Sequence, residues 1–144
     1  MRARVVAPAL AGVLALAGCT LAPVPVPVPG PGPACASGQQ TMASELLYFG
    51  TAMPQGAVSA TDWQAFVDAE VTPRFPSGLT TWAAAGQWRG GDGTPVREVS
   101  FIVNIVHTPT PADEAAIAAI MQAYKQRFHQ ESVLRVASAA CVAF

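Results

Sequence analysis

From Glu45 onward, short apolar runs with a period of two alternate with stretches that repeat every three to four residues. Glu45-Leu-Leu-Tyr-Phe-Gly50 is closed by Gly50 and Pro54 and predicts a strand. Ser59-Ala-Thr-Asp62 has the form of a capping box with Asp in the place of Glu. Trp63, Phe66, Val67 and Val71 follow on one helical face, and Pro73 and Pro76 stop that helix. Leu79–Trp82 and Gly86–Arg89 predict a strand pair, or one long strand kinked at its Ala-rich middle. Gly90-Gly91-Asp92-Gly93 supplies the positive φ of a hairpin turn. Val96–His107 carries Val99, Phe101, Val103 and Ile105 on one face and Ile102 and Val106 on the other, as a central strand does. Thr110-Pro111 with Asp113 and Glu114 opens a second helix. Ile117, Ile120, Met121, Tyr124 and Phe128 form its buried stripe. A last strand runs over Ser132–Val136 and resumes near Cys141–Phe144. The order β-α-β-β-α-β predicts an α+β domain on the ferredoxin-like plan, an antiparallel sheet with both helices on one face.

The first 33 residues follow a different pattern. Arg2 and Arg4 precede an apolar run, Val5–Leu16, that is too short to span a bilayer and has the length of a signal peptide. It ends in Leu16-Ala17-Gly18-Cys19, which resembles a bacterial lipobox. That resemblance implies a leader over 1–18, cleavage before Cys19, and lipidation of the Cys19 thiol, which anchors the protein to a membrane. An ordinary secretory signal with a chance Cys is the alternative. Thr20 in place of Asp implies, by the same resemblance, the periplasmic face of the outer membrane in an organism with two membranes. Thr20–Pro33 alternates Pro with small residues, so it cannot be helical and reads as polyproline II. At ~3.1 Å per residue it would span roughly 40 Å. A tether explains it without further partners; a ligand for a proline-recognising domain is the other reading. The organisation expected is therefore a leader (1–18), a lipidated Cys and disordered tether (19–43), and one domain (44–144).

Composition narrows the partners. Charged residues are 12% of the 144, about half the usual share. Without residues 1–18 the chain carries six basic against nine acidic residues, a net charge of −3. Nucleic acid is thereby disfavoured, since phosphate binding needs a basic stripe. No period or charge excess matches collagen, a coiled coil or intrinsic disorder. The mean hydropathy of +0.34 owes most of its excess to Ala and Val of the N-terminal segment. With Cys19 lipidated, Cys35 and Cys141 remain, and in an oxidising compartment they form a disulfide or stay as two buried thiols. Neither has a Cys or His at ligand spacing, so no metal site is expected.

Candidate chemistry is sparse. A ferredoxin-like sheet leaves one face free of helices, where a small ligand, a second copy or an envelope protein can dock. Tyr48, Arg89, Arg97 and His107 are the candidate ligand-binding residues, with Arg74 and Glu131 as further polar candidates. Were Trp88, Arg89, Arg97 and Arg135 to share the open face, the guanidinium groups would hold a carboxylate or phosphate. The structural alternative pairs those arginines with Glu98 and Glu131 and buries Trp88 in a core or dimer interface. His107 sits at a strand end, as catalytic groups often do, or is simply a solvated end residue; His129 suits the C-terminus of its helix. No Ser-His-Asp spacing, nucleophile elbow or phosphate loop is present, no cofactor is implied, and Cys141 as a nucleophile would conflict with the disulfide.

Several motifs match one family in order: Glu45–Gly50, Thr72-Pro-Arg-Phe-Pro76 with Gly78-Leu-Thr80, Gly86-Gln-Trp-Arg-Gly90, Asp92-Gly93, Arg97-Glu98, Tyr124–Phe128 and Gln130–Arg135. Over Glu45–Phe144 the chain resembles the bacterial domain of unknown function 3574. The resemblance implies a secreted protein or lipoprotein and transfers no catalytic residue. The expectation is an envelope lipoprotein acting as a binding or structural module through its open sheet face. The alternative is a cofactor-independent enzyme of the dimeric α/β-barrel type acting on a small molecule.

Overall fold

The computed structural model describes residues 34–144. The leader, Cys19 and the Pro-rich segment lie outside the described residues.

Four long strands form one antiparallel sheet: β1 (Gln40–Gly50), β4 (Thr80–Arg89), β5 (Pro95–His107) and β6 (Leu134–Val142), in the order β4-β5-β1-β6. With α1 (Ala60–Phe66) after the first long strand and α2 (Pro111–Phe128) after the third, this is the ferredoxin-like plan. A two-residue-stranded hairpin, β2 (Ala52–Met53) with β3 (Gly56–Ala57), intervenes between β1 and α1. Among the described residues no helix is long and apolar enough to cross a membrane.

Local chemistry sets the element ends. Ser59 caps α1 in a reciprocal box with Asp62, whose carboxyl is held below its ordinary value by the Ser59 hydroxyl and backbone N–H. The helix continues as a π-helical turn over Val67–Val71, closed by Thr72 N–H donating to the Val67 carbonyl. That continuation keeps Val67 and Val71 in the core beside Trp63 and Phe66. Thr110 caps α2 with Pro111 behind it, and His129 ends it in the left-handed conformation. The β4–β5 turn is closed by Gly90 N–H donating to the Thr94 carbonyl, with Gly93 at φ +84°.

The core lies between the helices and one sheet face. Leu47, Phe49, Phe101, Val103 and Ile105 meet Trp63, Phe66, Ile117, Ile120 and Tyr124 there. Trp63 stacks on Phe101 at 4.8 Å, and Phe49 sits edge-on to Tyr124 at 4.6 Å.

Two boundaries differ from expectation, and β4 decides between two readings that the sequence left open. β1 begins at Gln40 rather than Glu45, so residues 40–43, assigned by sequence to the tether, belong to the sheet. Tertiary pairing explains it, because Gln40 opposes Val142 and Ala43 opposes both Ala139 and His107. β4 is one continuous strand, and β6 runs unbroken through its Ala-rich middle. Cys35 and Cys141 are joined in a disulfide with Cα atoms 5.4 Å apart, which removes the alternative of two free thiols.

Candidate functional site

Side chains on neighbouring strands follow the pleat, so register alone decides which face each residue serves. Leu47, Phe49, Phe101 and Val103 face the helices. Their immediate neighbours must then face away. Tyr48 opposes Ile102 and Leu134, Ile102 opposes Trp82, Leu46 opposes Val136, and Trp88 opposes Val96. The sheet face that carries no helix therefore has an apolar and aromatic band, Trp82-Ile102-Tyr48-Leu134, running across it beside the polar Ser100 and Asn104. Trp82, Trp88, Leu134 and Val136 on it are 40–60% exposed. Ile102, which lies between Tyr48 and Trp82 in register on the same face, is nearly buried.

At the end of this face nearest β2 is a cavity of about 560 Å³. Tyr48, Trp88 and Leu134 supply apolar wall, and Glu98, Ser100 and Gln130 supply polar atoms. Glu98 Oε2 accepts hydrogen bonds from Thr51 N–H at 2.8 Å and Ala52 N–H at 2.6 Å. Gln130 Nε2 donates to the carbonyls of Ala52 at 2.6 Å and Phe128 at 3.2 Å, which fixes its amide with Oε1 pointing the other way. Both free oxygens stand over Gly50. A Cβ there would come within 2.7 Å of Glu98 Oε1 and 3.3 Å of Gln130 Oε1, so only glycine leaves this space open. The Gly50 carbonyl is pinned from the core by the Tyr124 hydroxyl at 2.8 Å, and burial pushes that phenol well above its ordinary value.

A second polar cluster lies on the helix-bearing face, towards the other end of the sheet. Glu45, buried among core residues, receives Arg135 in a bidentate pair, Nε to Oε2 and Nη2 to Oε1, both at 2.7 Å. Arg135 also donates through Nη1 and Nη2 to Glu114 of α2. These bonds, Glu45's first, raise the guanidinium further above its ordinary value, and Arg135 in turn lowers the Glu114 carboxyl. His107 lies beside them, its Nε2 buried without a hydrogen bond and 3.9 Å from Glu45 Oε1. Its Nδ1 is 2.9 Å from the Thr108 carbonyl and 3.6 Å from Asp113 Oδ2. A cavity of about 280 Å³ adjoins His107, Phe75 and Arg74. Arg74 is tied to Glu70 at 2.8 Å.

The structure separates the candidate residues that the sequence suggested. Tyr48 lines the open-face cavity. Arg89 and Arg97 do not: they alternate with Trp88 and Glu98 and so belong to the opposite face, where Arg97 Nε donates to Gln87 Oε1 at 2.9 Å. Arg135 leaves the open face by the same parity, opposing core-facing Leu47. The anion clamp of three arginines with Trp88, which required a shared face, is thus removed by register. The alternative pairing with Glu98 and Glu131 is replaced by Arg135 on Glu45 and Glu114. His107 stands in the second cluster, half-buried with its Nε2 enclosed rather than solvated. Glu131 lines the rim of the first cavity and Arg74 the second. Sequence reading missed Glu98, Gln130 and Gly50 as one constellation, since 48 residues and a strand register separate Gly50 from Glu98. Glycine inside or ending an apolar strand was the available signal, because it marks close approach. Among the described residues no group of three or more His, Cys, Asp or Glu is placed to hold a metal ion.

Comparison with known proteins adds a family and a fold. The family model described as "Protein of unknown function (DUF3574)" matches residues 44–144. No curated protein matches the sequence. A phage SAM lyase solved in complex with S-methyl-5'-thioadenosine superposes with a TM-score of 0.57 at 14% identity, covering 80% of this chain and 97% of that one. The same type of enzyme in its apo state gives 0.53 at 15% identity, over 75% and 92%. CutA from Synechococcus elongatus PCC7942 gives 0.47 at 11% identity, over 70% and 78%. At these identities the likeness to the lyase is one of fold.

Proposed function

Because the chain belongs to the DUF3574 family, a membership that carries no activity with it, we propose that it is an exported envelope lipoprotein whose domain is a binding module working through the open sheet face. The observation that carries this reading is the set of exposed apolar side chains Trp82, Trp88, Leu134 and Val136 on a face without helices. Contiguous apolar surface rimmed by polar groups is the usual mark of an interaction site. The lipobox-like Leu16-Ala17-Gly18-Cys19 supports the anchor, and Cys35 bonded to Cys141 suits an oxidising compartment.

Two experiments test it. Cys19→Ala is expected to move the protein from the membrane fraction to the soluble one; continued sedimentation with membranes would overturn the anchor. A photoreactive residue in place of Trp82 is expected to trap an adduct in cells, while one in place of Lys125 on α2 is not. Equal labelling from both positions, or none from either, would remove the docking surface. The adduct's mass, with light scattering of residues 34–144 at two concentrations, tells a second copy from a different envelope protein.

The competing enzyme of the dimeric α/β-barrel type needs its candidate side chains in one enclosed pocket. Of Tyr48, Arg89, Arg97 and His107, the register brings Tyr48 alone to the open face.

A further inference from the structure

The cavity over Gly50 has a chemistry of its own, and we infer that it takes a primary ammonium or guanidinium group carried on a flat apolar body. This goes beyond the docking surface and stands without it. Glu98 Oε1 and Gln130 Oε1 converge on the space above Gly50, and each side chain is oriented by hydrogen bonds made through its other head-group atom. Two acceptors held in place and aimed at one point call for a donor. None of the residues lining the cavity is Lys or Arg, and its titratable groups are Glu98, Glu131, Tyr48 and His129. Two carboxylates without a fixed cation give the pocket a negative field that favours a positive ligand.

The remaining wall defines the body of that ligand. Trp88 and Tyr48 offer aromatic surface, and Met53, Pro54 and Leu134 complete an apolar lining. A cation near an aromatic face is attracted by the ring quadrupole, most strongly for Trp. The volume of about 560 Å³ falls in the range of small-molecule sites. A quaternary ammonium would satisfy the field but give Glu98 and Gln130 no N–H. A bare metal ion would find too few oxygens.

Calorimetric titration of residues 34–144, which carry the whole of the described sheet, core and disulfide, tests this with three probes. They are 2-phenylethylamine, its neutral isostere 2-phenylethanol, and its trimethylated ammonium analogue. The amine is expected to bind at least about tenfold more tightly than either, as one charge-assisted hydrogen bond is worth that much. Glu98→Gln keeps an oxygen for the Thr51 and Ala52 amides but removes the charge, and is expected to weaken the amine about tenfold or more. Trp88→Ala alters an exposed side chain and is expected to weaken it without lowering the melting temperature. Equal binding of alcohol and amine, no binding at millimolar amine, or indifference to both substitutions would overturn the inference. A monomer that binds the amine keeps this site and discards self-docking; a dimer that binds none does the reverse.

Discussion

Replacing both Cys35 and Cys141 by serine is expected to lower the free energy of unfolding by about 4.7 kcal/mol, the chain-entropy value for a loop of this length. The two residues are 106 apart in sequence, so the bond closes nearly the whole domain into one loop. The native contacts near it are few: Cys35 lies half-buried in irregular backbone ahead of β1, and its sulfur is 3.1 Å from the Thr41 hydroxyl. Little native packing is lost on substitution, and the effect is chiefly a freer unfolded chain. Urea unfolding of the oxidised protein and the double variant measures it. The oxidised domain should also show no titratable thiol after denaturation. A difference below about 1 kcal/mol would mean that the denatured chain already holds its ends together, contrary to the chain-entropy account.

Arg135→Leu is expected to destabilise the domain by about 3 kcal/mol, the lower end of the range for breaking a buried ion pair, because Arg135 retains 23% side-chain exposure. The damage comes from Glu45. That residue is 2% exposed, on the core face of β1, and its bidentate partner would be gone. Leaving a charge unpaired costs more than the pair contributed, so Glu45→Leu with Arg135→Leu should recover most of the loss. A double-mutant cycle by urea unfolding checks this, and strict additivity of the two losses would refute it. Glu114 gives an independent readout. Arg135's hydrogen bond holds its carboxyl below the ordinary value, so its contribution is present above that range and is lost as pH falls through the depressed value. In Arg135→Leu its NMR titration should move back up.

The same residues show what the sequence discloses. Strand and helix positions were legible because burial imposes two different periods, and Phe49, Trp63, Phe66, Val103 and Tyr124 all lie in the core as their spacing predicts. Caps were legible because Ser59 and Thr110 act on neighbours three residues away. The outer ends of β1 and β6 were not: Gln40–Ala43 have weak strand character of their own and are ordered by pairing with Ala139–Val142. The arginines were misplaced for a reason that the pleat itself supplies. Trp88 and Arg89 are consecutive in one strand and cannot share a face. Glu98 and Gln130 could not be joined from sequence, since each reaches the loop at Thr51–Ala52 from a distant element.

The disulfide also decides how the domain bears a pull. Tension applied between residue 34 and residue 144 passes through the backbone from 34 to Cys35, across the sulfur bridge, and out from Cys141. β1, β4, β5, both helices and the cavity lie outside that load path and feel no shear; of β6 only its last two residues, Cys141 and Val142, carry it. In the reduced domain the same tension would reach β1 and β6, which are antiparallel neighbours gripped at one end. They would part like a zipper, beginning with Gln40 against Val142 and Thr41 against Cys141, one pair at a time.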